Sequence, residues 1–195
     1  MQYCFGTPPI DLDHRQKWFD GVLDMTTTEL ADNLAGGVLS AGPTRLTAAG
    51  KAGIPQVISL GALDMVNFGA PSNIPSEYQE AKRLFHVHNS SVTLMRTNQE
   101  ECRMLGAEIT RKLRMAKNAP QTTAVVIPLR GWSGLDIEGQ KFYDKTADQE
   151  LVISLKAGLE NTGIVVVEVD GTINDVAVAS KMVDLLHQML SNEQV

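Results

Sequence analysis

The residues best suited to chemistry fall into two stretches, Gly61–Asn67 and His86–Arg96. In Gly61-Ala62-Leu63-Asp64-Met65-Val66-Asn67-Phe68-Gly69 a carboxylate and an amide stand between glycines, directly after an apolar run. Gly61, Asp64 and Asn67 in such a loop suit a ribose, a phosphate or a small substrate. The structural alternative is that Asp64 caps a helical turn while Met65, Val66 and Phe68 are core. His86-Val87-His88-Asn89 supplies a histidine pair. On a strand, positions i and i+2 face one side, so His86 and His88 would meet one ligand, with Asn89 beside them. Two histidines at that spacing need a third ligand to hold a metal, so a divalent metal stays open and no residue is assigned as its ligand. One of them also suits a general base, since an imidazole titrates at about 6.5. The alternative is a hydrogen-bonded structural pair.

Two further groups belong with these. Arg96 stands at a helix start, where the backbone favours anions and a guanidinium adds a two-pronged donor. Arg130-Gly131-Trp132-Ser133-Gly134-Leu135-Asp136 places Ser133 and Asp136 just past another apolar run. Ser133 is not in a G-x-S-x-G elbow, so a serine hydrolase has little support. There is no G-x-x-x-x-G-K-[ST] loop and no G-x-G-x-x-G fingerprint. Cys102 lies within a helical pattern and reads as core.

These residues need elements to hold them. Short apolar runs at Gly21–Met25, Ile54–Leu60, Thr122–Pro128 and Ile164–Val169 read as buried strands. Between them lie helical patterns. The first starts near Thr26–Thr28, carries Leu30, Leu34 and Leu39, and stops at Gly36-Gly37. Others cover Thr44–Lys51 (stopped by Gly53), Thr97–Lys117, Thr146–Glu160 and Ile173–Leu190, the last with Val176, Val183, Leu186 and Leu190 inward. Continuous apolar strands alternating with amphipathic helices imply an α/β fold. The expectation is an open, mainly parallel sheet of about four to five strands with helices on both faces, a Rossmann-like three-layer sandwich. Residues 1–20 read as an irregular lead-in with one helical turn, and 21–195 as a single α/β domain. In such sheets ligands bind outside the carboxyl ends of the strands. That rule selects the loops Asp24–Thr28, Leu60–Gly69, Pro128–Gly139 and Asp170–Asn174, and adds Thr27 to the candidates.

Composition narrows the class. The chain has 195 residues and a formal net charge of −6, which argues against a nucleic-acid surface. Two cysteines without a CxxC spacing point to a reducing compartment, hence the cytoplasm. No apolar run approaches a membrane span, and Met1–Asp20 lacks the basic start and apolar stretch of a secretory signal.

The segments GVLDMTTTELADNLAGGVLSAGPTRL, IPQVISLGALDMVNFG, HVHNSSVTLMRT, PLRGWSGLDIEGQKFYD and IND together resemble the C-terminal half of the Tm-one-like ATP-binding family. This is an uncharacterised family that includes the tomato mosaic virus resistance protein. The similarity runs in order over about residues 20–190. It implies two tandem α/β domains, inferred ATP binding and self-association as a homodimer. The family's C-terminal half opens with a strand and a His-Ala-Thr-Gly-Thr-Gly-Gly-like turn, its best phosphate cradle. Residues 1–20 do not contain that turn, which weighs against nucleotide binding by this chain. A missing first strand would also expose a sheet edge that favours pairing with a second copy.

The sequence therefore points to a domain that binds a small anionic ligand or an ATP-type nucleotide, with no nucleic-acid or membrane partner. Arg96 would meet the anion, Asp64 and Asn67 would orient hydroxyls, and Thr27, Gly61, His86, Asn89, Ser133 and Asp136 would line the site. A hydrolase or lyase acting on a small carbonyl compound through an Asp64/His88 acid–base pair is the second expectation. A protein-interaction module is the third.

Overall fold

The structure, a computed structural model, describes residues 19–192 together with the short strand Tyr3–Phe5. Five parallel strands form the main sheet in the order β1 (Tyr3–Phe5), β2 (Gly21–Thr26), β3 (Gln56–Gly61), β7 (Thr123–Pro128) and β8 (Val165–Val169). Every residue of β3 and β7 is buried. That is why these strands read as unbroken apolar runs and not as an alternation: helices cover both faces of the sheet.

One face packs against α1 (Thr28–Ala35), α4 (Gln99–Leu113) and α6 (Lys145–Leu159), where Leu30, Leu105, Ile109, Leu151 and Leu155 meet Ile58, Val125 and Ile127. The other face carries α7 (Val176–Asn192), where Val178, Met182, Leu185 and Leu186 meet Leu23, Val57, Ala124 and Val126. The α/β sandwich expected from the sequence is therefore present. Short helices α2 (Ala48–Ala52), α3 (Ser76–Glu80) and α5 (Ala119–Thr122) fill the connections. Gly36 and Gly53 end α1 and α2 in the left-handed conformation, with φ of 75° and 72°. Their positions were readable because a helix stop of this kind is nearly reserved for glycine.

α4 and α6 lie side by side and run in the same direction. Ser154 Oγ donates to the Arg103 carbonyl, and further along Thr110 Oγ1 donates to the Leu155 carbonyl. Two glycines allow the approach. A Cβ on Gly106 would lie 2.5 Å from the Leu151 carbonyl oxygen, and one on Gly158 would lie 2.5 Å from the Thr110 methyl. Both helix N-termini thus arrive together at the carboxyl edge of the sheet.

Several elements differ from the sequence expectation. Between β3 and α4 the chain forms a second, antiparallel sheet in the order β4 (Met65–Phe68), β6 (Val92–Arg96), β5 (Phe85–Asn89). Leu39 does not extend the α1 stripe; it is exposed, because α1 ends at Ala35. Val176 and Val183 of α7 face outward, since the inward phase of that helix is set by Val178, Met182, Leu185 and Leu186. The helix expected over 44–51 is reduced to α2, and Leu46 before it adopts φ of 71°. In the lead-in, Tyr3–Phe5 pairs with Gly21–Leu23 as a fifth strand. The expected helical turn there lies outside the described residues. Among the described residues, no helix is long and apolar enough to cross a membrane.

Candidate functional site

The carboxyl ends of the parallel strands are joined by hydrogen bonds from loop to loop. Thr27 N donates to the Gly61 carbonyl at 3.0 Å and Thr27 Oγ1 to the Ser59 carbonyl at 3.1 Å. Ala62 N donates to the Trp132 carbonyl at 2.8 Å, and Ile173 N to the Gly131 carbonyl at 2.9 Å. Gly61 has no room for a side chain, as a Cβ there would lie 2.4 Å from the Met25 carbonyl oxygen. Thr27 and Gly61 are therefore parts of a closed rim.

Behind this rim sits a buried ionic centre. The first residue after the rim to enter it is Asp64, wholly buried, whose carbonyl accepts from Thr97 N at 3.0 Å. Ser133 Oγ donates to Asp64 Oδ2 at 2.7 Å and accepts from Leu135 N at 3.0 Å. Asp64 Oδ1 has no partner. Arg96, at the end of β6, lies beneath. Its Nε donates to the Phe142 carbonyl at 2.6 Å, and its Nη1 to Thr97 Oγ1 at 2.9 Å and the Asp64 carbonyl at 3.3 Å. Its Nη2 reaches the Asp148 carboxylate, the Asp144 carbonyl at 3.2 Å and Asp136 Oδ1 at 3.4 Å. Asp136, also wholly buried, closes its own loop by accepting from Trp132 N at 3.0 Å.

One guanidinium thus faces three carboxylates, and all three carboxyls are held above the usual carboxylate range. Burial, reinforced by the neighbouring charges of Asp148 and Asp64, pushes the Asp136 carboxyl up to about 8. Burial pushes Asp148 up to about 6, against the attraction of Arg96. Burial also raises Asp64, opposed by the Ser133 hydroxyl and Arg96. The neighbouring Cys102 thiol is raised by burial to about 11, so it is an inert core group at neutral pH. Chemically, the centre can hold and exchange a proton near neutrality and can accept a hydrogen bond at Asp64.

The two helix N-termini that border the centre already carry side-chain caps. On α4, Asn98 and Glu101 form a reciprocal capping box. On α6, Asp144 accepts from Thr146 N and Ala147 N. These caps take up Glu101 N on α4 and Thr146 N and Ala147 N on α6, part of each first turn's donors.

The sequence-derived candidates therefore separate into four places, the rim with Thr27 and Gly61 being one. Asp64, Arg96, Ser133 and Asp136 come together. Asn67 lies elsewhere, as a brace to α1: its Nδ2 donates to Thr28 Oγ1 at 3.0 Å and Asp32 Oδ1 at 3.1 Å, and its backbone N to Asp32 Oδ1 at 2.8 Å. His86, His88 and Asn89 lie on β5 at the outer edge of the small sheet. The two imidazoles share a face, with ring centroids 6.4 Å apart, and His86 meets Phe142 edge-on at 6.3 Å. Asn89 Oδ1 is taken up by Ser91 N in the turn. Asp64 and His88 are not brought together. Asp64 is level with Thr97 on β6 and His88 is level with Thr93 or beyond, two strands away. At normal strand spacings that is about 10 Å across and about 13 Å along. Among the described residues, no three His, Cys, Asp or Glu side chains are grouped to hold a metal ion.

Two members of the centre escaped the sequence reading, Asp144 and Asp148. The signal was present, since acidic residues at the start of the 145–159 helix are the usual N-terminal complement to its dipole. What the sequence did not contain was the destination of Asp148, which looks inward to Arg96.

The model of the uncharacterised protein family UPF0261, C-terminal domain, matches residues 12–190. The chain belongs to this family. A UPF0261 protein of Clostridium tetani is 45% identical over 178 residues, covering 89% of this chain and 43% of the clostridial protein. The ToMV susceptible protein tm-1(GCR26) and the ToMV resistance protein Tm-1(GCR237) of Solanum lycopersicum are each 42% identical. They cover 90% and 87% of this chain but 23% and 22% of the tomato proteins. The chain thus spans less than half the length of these relatives. A groove of about 670 Å³ bordered by Gln121, Val165, Gln188 and Met189 lies at the amino end of β8, at the opposite end of the sheet from the ionic centre.

Proposed function

We propose that this UPF0261 domain binds a small polar ligand of the nucleotide type. The ligand sits against the carboxyl edge of the parallel sheet, beside the loop of residues 129–144. The observation that carries this reading is Asp64: a wholly buried carboxylate with one oxygen unpaired, bonded through the other to the half-exposed Ser133. Buried polar atoms are nearly always paired, and an unpaired one costs about 1–3 kcal/mol, so its presence favours a partner that arrives from outside. The strand-end position agrees with where parallel sheets take ligands. The ATP-type identity rests on the family resemblance, and self-association as a dimer is proposed on the same ground.

Calorimetric titration of the folded chain with ATP, other nucleotides and nucleosides tests this. Saturable heat at one ligand per chain is expected. A folded sample that gives no heat with any of them sinks the reading.

A further inference from the structure

The Arg96 centre offers a ligand one spare acceptor and no uncommitted guanidinium donor. Asp64 Oδ1 is unpartnered, and Asp136 and Asp148 stand close enough for the charges to act on one another. Arg96 directs its donors to the carbonyls of Asp64, Phe142 and Asp144, to Thr97 and to two aspartates. The N-termini of α4 and α6 carry side-chain caps from Asn98 and Asp144. A phosphate brought against this centre would meet three carboxyl groups and an arginine whose donors are all committed. A group with O–H or N–H donors and no negative charge would instead complete the one open valence of the centre.

We propose that Asp64 is the recognition point for an uncharged hydrogen-bond donor of the ligand, a ribose hydroxyl or a base amine, with any phosphates directed away from the Arg96 centre. This rests on the nucleotide-type reading above and specifies which end of the ligand is read. Ser133 is the displaceable cover. It is half-exposed, its hydroxyl holds the other Asp64 oxygen, and the next residue, Gly134, is exposed with open space around its Cα. A ligand donor that reaches Asp64 takes over the hydrogen bond that Ser133 makes in its absence.

The test is calorimetric titration of the full chain with adenosine, ATP and inorganic tripolyphosphate in parallel. Adenosine is expected to bind within about threefold of ATP, and tripolyphosphate to give no heat, because a charged-group hydrogen bond and not the phosphate carries the affinity. Asp64→Asn, nearly identical in shape, is expected to weaken adenosine about tenfold, the loss of one such bond. Ser133→Ala is expected to bind adenosine as tightly as the parent or more tightly, since the competing hydroxyl is gone. Adenosine silent while ATP or tripolyphosphate binds would overturn the proposal and leave the nucleotide reading standing. Undiminished adenosine binding by Asp64→Asn, or a tenfold loss in Ser133→Ala, would also overturn it. Silence with every nucleoside and nucleotide defeats the underlying reading and this proposal with it. Loss of binding with 2′,3′-dideoxyadenosine assigns the donor to the ribose, and loss with purine riboside, which lacks the exocyclic amine, assigns it to the base. Full binding by both analogues would place the donor on neither group and overturn the proposal.

Discussion

Two buried arginines organise this domain, and they are used differently. Arg45 sets its guanidinium squarely on Asp24: Nη2 donates to Oδ1 at 2.7 Å and Nη1 reaches Oδ2. Its Nε donates to Glu29 at 3.2 Å, and Nη2 also meets the Thr26 carbonyl at 3.1 Å. Every contact is to the end of β2 or the start of α1. This is a planar fork matched to a carboxylate, the geometry in which arginine is strongest. Arg96 has no such match. Its donors are spread over three carbonyls, a hydroxyl and two aspartates drawn from the small sheet, the 129–144 loop and α6. The first centre locks one connection. The second gathers three pieces of chain and cannot neutralise all the carboxylates that it gathers, so the Asp136 carboxyl is pushed up and Asp64 keeps an open oxygen. The lesson is that burial of charge alone does not mark a site. Incomplete pairing does.

The largest effects should come from removing either arginine. Removing one partner of a buried ion pair costs about 3–5 kcal/mol, because the remaining charge stays buried without compensation. Arg45→Met strands one forked aspartate and is expected near the lower end. Arg96→Met strands two aspartates and three carbonyls, and is expected at the upper end or as failure to fold. Urea denaturation of both variants measures the order. A larger loss for Arg45→Met would mean that the Arg96 centre is the better compensated of the two, reversing the comparison.

The next effect is a pH dependence that the Arg96 centre should impose. Asp136 is raised to about 8 and Asp148 to about 6, against about 3.9 for an aspartate in an unfolded chain. The folded state therefore binds more protons than the unfolded state between these values. The stabilisation is fully present below about pH 4 and is lost as pH rises through 6 and then 8, with a slope of up to about 1.4 kcal/mol per pH unit for each such group. The melting temperature should fall between pH 6 and 8.5. The groups facing Asp136 are Asp64, Arg96 and Asp148, with Asp144 and Cys102 beyond them. Asp136→Asn keeps the shape and the acceptor for Trp132 N while removing the titration, so its melting temperature should be flatter over the upper part of that range. A melting temperature that rises with pH in the parent chain would show that these carboxylates are ionised and paired.

Much of this was readable from the chain, and the limit has a physical basis. Strands such as Gln56–Gly61 and Thr123–Pro128 are buried on both faces, so their composition alone declares them. Asp64 and Ser133 were legible as polar residues following such strands. Their partnership was not, since 69 positions separate the two residues of that hydrogen bond. The small sheet was harder. His86 and His88 were expected to share a strand face, and they do; Met65, Val66 and Phe68, weighed as core, are buried, but nothing in them declared a strand. Only the pairing of Met65 with Arg96 and of His86 with Leu94 shows that the histidines lie across the sheet from Asp64 and away from it. Alternation gives a strand its faces, but the register that sets distances comes from tertiary packing.

The smallest effect sharpens this last point. His88 is exposed, and its ring stands 6.4 Å, centroid to centroid, from that of His86. His88→Ala should change stability by less than about 0.5 kcal/mol, as surface substitutions usually do. It should also leave adenosine binding unchanged, whereas His86→Ala, which loses an edge-on contact with Phe142, should cost about 0.5–1 kcal/mol of stability. Phe142 in turn supplies the carbonyl that holds Arg96 Nε, so His86 supports the centre through one intermediary and His88 does not. Paired titrations of His88→Ala and Asp64→Asn decide where the ligand lies. If His88→Ala weakens binding tenfold while Asp64→Asn does not, the ligand lies on the outer face of β5, and the incomplete pairing at Asp64 is a feature of folding alone.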